Sequence, residues 1–209
     1  MRKITTYLSA VTVAAGLLAP AASYAQDAFP QQPIKLVVPF APGGGNDVFA
    51  RLIAQKLSTD LSQQVVVENK PGAGGNIGSK YVATSKADGY TLLLGHTGTM
   101  SINPTLYANL GYDPKQELRP VASIASTPLV LVVKEDSPYK SLADLLKAAK
   151  DKGGSLNYAS SGAGTGNHLT AVLMDQNAKI QTTHIPYRGT GPALADLLGG
   201  QVDFTFSVI

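Results

Sequence analysis

The stretch from Ile34 to Leu61 constrains this chain most, because it reads strand, glycine-rich loop, amphipathic helix. Ile34-Lys35-Leu36-Val37-Val38 is a continuous β-type run. Pro39-Phe40-Ala41-Pro42-Gly43-Gly44-Gly45-Asn46 breaks it, and a helical pattern begins at Asp47. A helix N-terminus carries about half a positive elementary charge and several N–H groups without intrahelical partners. Three successive glycines let an anion approach those groups without meeting a Cβ. The loop has no Lys or Arg, and the nearest helical base, Arg51, lies more than a turn into the helix. Phosphate sites commonly add such a base to the glycine cradle, so the bare loop favours a carboxylate.

The same device recurs. In the first helix, near Asp47–Leu61, the spacing of Val48, Leu52, Ile53 and Leu57 predicts the buried stripe. Val65-Val66-Val67-Glu68 is a second strand, Asn69 to Gly75 a second glycine-rich loop, and Asn76 opens a helix to about Ser85. Ala87-Asp88-Gly89 turns into a third strand, Tyr90–Leu94, followed by the polar loop Gly95-His96-Thr97-Gly98-Thr99. Three such loops imply a parallel sheet with its ligand face at the strands' carboxyl ends.

Val121 to Val133 reads as extended segments broken near Thr127-Pro128, the expected crossing between two domains. A new β/α series follows. Ser141 with Asp144 forms a capping-box-like start, and Leu142, Leu145, Leu146 and Ala149 give that helix its apolar face. A strand at Leu156–Ala159 leads into Ser160-Ser161-Gly162-Ala163-Gly164-Thr165-Gly166. Leu169, Val172 and Leu173 mark the next helix. Thr183–Ile185 is a strand, Pro192 starts a helix that Gly199-Gly200 ends, and Gln201–Phe206 is a strand. The expected organisation is a signal peptide over 1–25, a first α/β domain over 26–127 and a partial second α/β domain over 128–209. Two such units facing across a cleft would clasp an anion from both sides.

Arg2 and Lys3 precede the mostly apolar run Tyr7–Leu18, and Ser23-Tyr24-Ala25 fits a small-x-small cleavage site. This predicts export to the periplasm with Gln26 as the new N-terminus. The chain has no Cys, which excludes a lipoprotein anchor and any disulfide. Removing Arg2 and Lys3 from 17 basic residues leaves 15 against 14 acidic ones, a net charge of about +1. The bases are evenly spread, without aromatic interleaving, so nucleic-acid binding has no support.

Pro39 to Asp47, Val67 to Gly78 and Asp88 to Gly95 together resemble the Bug-type receptors, the solute receptors of tripartite tricarboxylate transporters. Ile102-Asn103-Pro104 with Leu106-Tyr107, Leu156-Asn157-Tyr158 with Ser160-Ser161-Gly162, His168-Leu169, Pro186-Tyr187 and Leu197 to Asp203 continue the resemblance in order. It implies a type II periplasmic binding protein, a Venus flytrap of two β/α domains around a cleft. It further implies a receptor without catalytic residues, metal or cofactor, and a monomer when full length. The ligand would be a small organic acid, an amino acid or a related aromatic acid or amide, passed to membrane transporter subunits. Carried over by position, the ligand-binding residues are Phe40, Pro42, Gly43, Gly44, Gly45 and Asn46 in the first loop. Ser160, Ser161, Ala163, Gly164 and Thr165 come from the second domain. Asn76, His96 and Thr97 border the same cleft. Asn46 stands where the family often has Thr or Ser, and family members continue for roughly another hundred residues beyond Ile209. The terminal Phe206-Ser207-Val208-Ile209 reads as an interrupted strand with uncovered edges, so the chain is expected to be a fragment.

Other readings compete. Ser161 with His168 invites a secreted α/β hydrolase, although no Gly-x-Ser-x-Gly elbow is present. A phosphate or phosphonate receptor would use the same loops. Gly72 to Gly78 imitates a dinucleotide fingerprint but has Ile77 where a Gly is needed. His168 and His184 are expected to be structural, and His96 is open between ligand contact and a local role. Asp47 is expected to complement the helix dipole, Tyr187 and Arg188 could face the cleft, and Asp203 is assigned a hinge or structural role.

Overall fold

Two sheets organise the chain. The structure, a computed structural model, describes residues 29–208, so the signal-peptide reading of 1–25 lies outside the described residues. From Gln32 onward the described chain forms one compact unit.

The first sheet has three parallel strands in the order β2-β1-β3: β1 (Ile34–Val38), β2 (Val65–Asn69) and β3 (Thr91–Leu93). As the central strand, β1 is covered on both edges, and Ile34, Leu36, Val37 and Val38 are buried. Helix α1 (Gly45–Asp60) follows β1, and α2 (Asn76–Ala83) follows β2. A π-type turn over Gly98–Ile102 leads into the single turn α3 (Asn103–Leu106). The chain from Arg119 to Pro128 has no regular structure, so the expected extended run shrinks to Leu129–Val133.

The second sheet has four strands in the order β4-β7-β5-β6: β4 (Leu129–Val133), β5 (Asn157–Ser160), β6 (Thr183–Pro186) and β7 (Phe204–Val208). Helices α4 (Leu142–Lys152), α5 (Gly166–Ala178) and α6 (Thr190–Leu198) connect them. The sheet is mixed, because β4 runs antiparallel to β7 while β5 runs parallel to both β6 and β7. Ser141 caps α4 as expected: its Oγ accepts from the Asp144 N–H at 3.1 Å and donates to Asp144 Oδ2 at 2.8 Å.

Three expectations are corrected. In α1 the buried residues are Asp47, Ala50 and Ala54, whereas Val48 and Leu52 are 54% and 60% exposed. Ile53 and Leu57 do pack on the core. Burying the hydrogen-bonded Asp47 sets the rotation of the helix, and two alanines let it lie close to the sheet. Leu142 of α4 and Leu173 of α5 are exposed for the same reason, since Leu145, Ala149 and Ala171 already fill the sheet-facing line. The third correction concerns β7. It is not an uncovered edge: it pairs with β4 on one side and β5 on the other, and Phe204 is fully buried.

Candidate functional site

In the first sheet the carboxyl ends of the parallel strands carry the loops singled out in sequence. Val38 runs into buried Pro39 and Phe40, and Gly44 caps α1 in an extended conformation with no side-chain cap. Phe40 belongs to the core and packs its ring on His96, centroids 4.8 Å apart. Pro42, Gly43 and Gly45 are exposed, Asn46 is half-buried and Gly44 is buried.

Asp47 is 4% exposed and organises this loop. Its Oδ2 accepts the Gly43 N–H at 3.1 Å, Arg51 grips both carboxylate oxygens at 3.0–3.1 Å, and Asn69 Nδ2 donates to Oδ1 at 2.9 Å. Asn69 Nδ2 also reaches the Phe40 carbonyl at 3.0 Å. Burial raises the Asp47 pKa, but Arg51, Asn69 and the Gly43 N–H outweigh it and hold the carboxyl below its ordinary range. One donor that the sequence assigned to a ligand is therefore taken by the protein's own carboxylate.

The second and third loops build a buried polar cluster whose orientations are fixed by backbone groups. Asn103 Nδ2 faces the Gly74 carbonyl at 3.3 Å and Asn76 Oδ1 at 2.6 Å. A carbonyl only accepts, so the nitrogen of Asn103 must point that way. Asn103 Oδ1 and Asn76 Nδ2 are then the remaining atoms, and both are buried without a hydrogen-bond partner. Tyr112 donates to the Thr99 carbonyl at 2.9 Å and closes the cluster from below. His96 Nδ1 accepts the Gly98 N–H at 3.0 Å, which places the ring proton on Nε2. That nitrogen is likewise buried without a well-formed partner. Burial lowers the His96 pKa to about 4, opposed by the nearby Gly74 carbonyl, so the ring is neutral at pH 7. Thr97 is exposed.

The second sheet's loop is also placed at a strand end, and its hydroxyls are engaged locally. Ser160 Oγ accepts the Gly162 N–H at 3.0 Å and pairs with His184 Nε2 at 2.6 Å. Ser161 Oγ donates to Asn167 Oδ1 at 2.8 Å, and Thr165 Oγ1 donates to the Gly162 carbonyl at 2.6 Å. His168 accepts the Gly164 N–H at 3.2 Å and stacks on His184, centroids 4.2 Å apart. Both histidines thus act within the lobe, as expected. The Ser161–His168 pair needed by a hydrolase is not formed, because each group is committed to a different neighbour. Among the described residues, no group of three or more His, Cys, Asp or Glu is placed to hold a metal.

The two sets of loops meet directly. Tyr107 donates its hydroxyl to the Ala163 carbonyl at 3.0 Å, and the Ala41 N–H donates to the Arg188 carbonyl at 2.9 Å. Arg188 contributes backbone only and is exposed, so no base enters the loops from this position. Tyr187 bonds Asp196, and Asp203 accepts the Asn157 N–H, both structural roles. Glycine makes the closest approach possible. At Gly74, with φ +62°, a Cβ would lie 2.1 Å from the Ala163 carbonyl oxygen, and at Gly164 it would lie 2.0 Å from Asn103 Oδ1. The structure thus brings Asn76, His96, Ala163 and Gly164 to one junction, while Gly44 lies against Thr190 and Gly191 at the start of α6. Asn103 and Tyr107, which the sequence placed only within a motif, belong to that junction too. Two surface grooves, one around Lys35, Lys86 and Tyr90 and one around Arg51, Gln55 and Gln64, lie outside these loops.

Known proteins resemble this chain in sequence and fold. The sequence pattern of the family described as tripartite tricarboxylate transporter family receptor matches residues 49–209. A curated relative from Pseudomonas sp. strain P51, the UPF0065 protein in the tcbD-tcbE intergenic region, is 45% identical over 177 residues. The match covers 85% of this chain and 52% of the relative. A solved structure described as a periplasmic transporter superposes with a TM-score of 0.84 at 40% identity, over 87% of this chain and 61% of that one. R. palustris Rpa4515 with adipate superposes with a TM-score of 0.84 at 39% identity, over 87% of this chain and 60% of that one. The chain therefore spans little more than half the length of the curated relative and about three-fifths of the solved structures.

Proposed function

Since this chain belongs to the tripartite tricarboxylate transporter receptor family, we propose that it forms the carboxylate-binding part of a periplasmic solute receptor. It is a binding protein, and its partners are a small organic acid and the membrane subunits of a transporter. Residues 1–25 direct export and are removed near Ala25. The two sheets, over 26–127 and 128–209, belong to two domains whose loops close on the ligand.

One observation carries the reading: where the loops of the two sheets meet, Asn76 Nδ2 is a buried donor left without a partner, and His96 Nε2 is a buried donor that has only the nearby Gly74 carbonyl and no well-formed hydrogen bond. Leaving a buried donor unpaired costs about 1–3 kcal/mol, so a site that keeps such donors is organised for an acceptor. A carboxylate supplies two acceptor oxygens. Both donors are neutral, as for a receptor that must also release its cargo. In this reading Gly44, Gly45 and Asn46 present backbone N–H groups at the start of α1, while Pro42, Gly43 and Phe40 shape that loop. Ser160, Ser161, Ala163, Gly164, Thr165 and Thr97 form the facing wall and rim. The Tyr107–Ala163 and Ala41–Arg188 bonds part to admit the ligand and re-form over it.

Thermal unfolding of the purified chain against a panel of small mono- and dicarboxylates and their methyl esters tests this. A ligand at about 100 times its dissociation constant stabilises by about 2.7 kcal/mol. An acid should raise the midpoint and its ester should not. Equal shifts from acid and ester, or inorganic phosphate competing better than any carboxylate, would overturn the carboxylate assignment.

A further inference from the structure

Two histidines hold the loops of the two sheets, one on each side of the junction. His96 Nδ1 accepts the Gly98 N–H at 3.0 Å, and His168 Nδ1 accepts the Gly164 N–H at 3.2 Å. The two glycines meet where the loops touch. A Cβ added at Gly98 would stand 2.8 Å from the Gly164 carbonyl oxygen, and one added at Gly164 would stand 2.0 Å from Asn103 Oδ1. Each side of this close approach is therefore fixed by an imidazole nitrogen that can accept only while it carries no proton.

A proton on either Nδ1 turns the acceptor into a donor facing a glycine N–H, and the bond is lost. The resulting cation has no counter-ion. Among the described residues no carboxylate pairs with either ring. His96 faces the Phe40 ring and the backbone of Gly74 and Gly75. His168 faces His184 of β6, which is bound to Ser160 of β5. Tyr158 of β5 stacks on His184 in turn, and burial, with Asp175 of α5, holds its hydroxyl un-ionised with a pKa of about 12. Asp175 itself accepts from the Thr182 N–H and hydroxyl. A charged ring at either place is an uncompensated cation withdrawn from water, and for His168 it also lies against a second histidine. The ring moves toward solvent and its glycine is released.

We propose that His96 and His168 form an acid-released latch: protonation frees Gly98 and Gly164, and the loops of the two sheets part. The latch is a property of the loops themselves and goes beyond the ligand reading above; a solute held between them would be let go on acidification. Burial lowers both pKa values, that of His96 to about 4. Opening therefore takes up protons. Each pH unit below the ordinary histidine value of ~6.5 favours the open form by up to about tenfold per ring, until the closed-state value is reached.

Amide hydrogen exchange on the ligand-free chain, followed by NMR from pH 7.5 to 4.5 and corrected for its intrinsic pH dependence, tests this. Protection of the Gly98 and Gly164 amides should fall at least about tenfold further than that of Val37 and Ala159 in the two central strands. The imidazole nitrogens should titrate over the same range. His168→Asn places an amide oxygen where Nδ1 stood, an acceptor that does not titrate. It should keep Gly164 protected, with an acid response within about threefold, whereas His168→Ala should leave Gly164 unprotected at every pH. Gly98 and Gly164 amides as protected as Val37 at pH 4.5 would overturn the latch. So would core amides lost in step with them, which is global unfolding, or a folded His168→Asn protein that keeps the full response. The titration of the unaltered chain decides even if the variants do not fold. No ligand enters these measurements, so they stand apart from the acid and ester comparison that tests the receptor reading.

Discussion

Replacing Gly74 by Ala should separate the loops of the two sheets, and the cost can be worked out from neighbouring geometry. Gly74 has φ +62°, so any L side chain there adopts a left-handed conformation. That costs about 1–2 kcal/mol, offset by about 0.4–1 kcal/mol from the stiffer unfolded chain. The same two quantities apply at Gly153, the C-cap of α4, with φ +55° and nothing within 4 Å of an added Cβ. Gly153→Ala therefore measures the backbone cost alone, about 0.5–1 kcal/mol. Gly74→Ala adds a Cβ 2.1 Å from the Ala163 carbonyl oxygen, well inside any tolerable contact. The obstacle is backbone, so no rotamer change relieves it. The loops must move apart, which breaks the Tyr107–Ala163 bond, about 0.5–1.5 kcal/mol, and the glycine-to-glycine approach of Gly74 and Gly162. The backbone cost and the lost bond together come to about 1–2.5 kcal/mol, and the lost glycine-to-glycine approach adds to them. Urea denaturation of both variants with a common slope gives the two differences. The reasoning fails if Gly74→Ala costs no more than Gly153→Ala, for then the loops do not hold each other in solution.

Two further outcomes follow from the fold. The folded pKa values of His96 and His184 are lowered to about 4, chiefly by burial, and that of His168 is also lowered. Unfolded histidine titrates near ~6.5, so between about pH 6.5 and 4 the unfolded chain binds more protons and stability falls as the solution is acidified; a melting temperature unchanged from pH 7.5 to 4.5 would contradict the burial of both rings. Leu145→Ala should cost about 2–5 kcal/mol and Leu52→Ala within about 0.5 kcal/mol, because Leu145 is 1% exposed and Leu52 is 60% exposed; comparable losses in denaturation would restore the helix face that periodicity predicts.

The α1 face shows why the fold was more legible than the details of its packing. Strand order, loop placement and the succession of β/α units follow from apolar runs and glycine punctuation, which depend on the local chain. Helix rotation does not. Apolar period alone favours Val48 and Leu52, but Asp47 has four donors waiting for it from Gly43, Arg51 and Asn69, and only a buried orientation satisfies them. Asn69 lies 22 residues away in sequence, so the preference cannot be read locally. Strand β7 illustrates the same limit. As an apolar run it looked unfinished, yet β4, about seventy residues earlier, supplies its second edge in antiparallel register, Leu131 facing Phe206.

The candidate site was legible to the same degree. Glycine loops announce where backbone comes close, and the structure puts Gly44, Gly74 and Gly164 where the two sheets' loops touch. Which polar atoms remain unpaired is a different kind of fact. Asn76 and Asn103 look alike in sequence, two amides at the starts of helical turns. The Gly74 carbonyl, by claiming the nitrogen of Asn103, makes one of them a donor toward the junction and the other an acceptor. His96 acquires its polarity in the same way, from the Gly98 N–H. Which polar atoms stay open at the candidate site is thus set by backbone groups that carry no side-chain signature. Exchanging Asn103 for another polar residue of similar size would alter it, even where the glycine pattern stays intact.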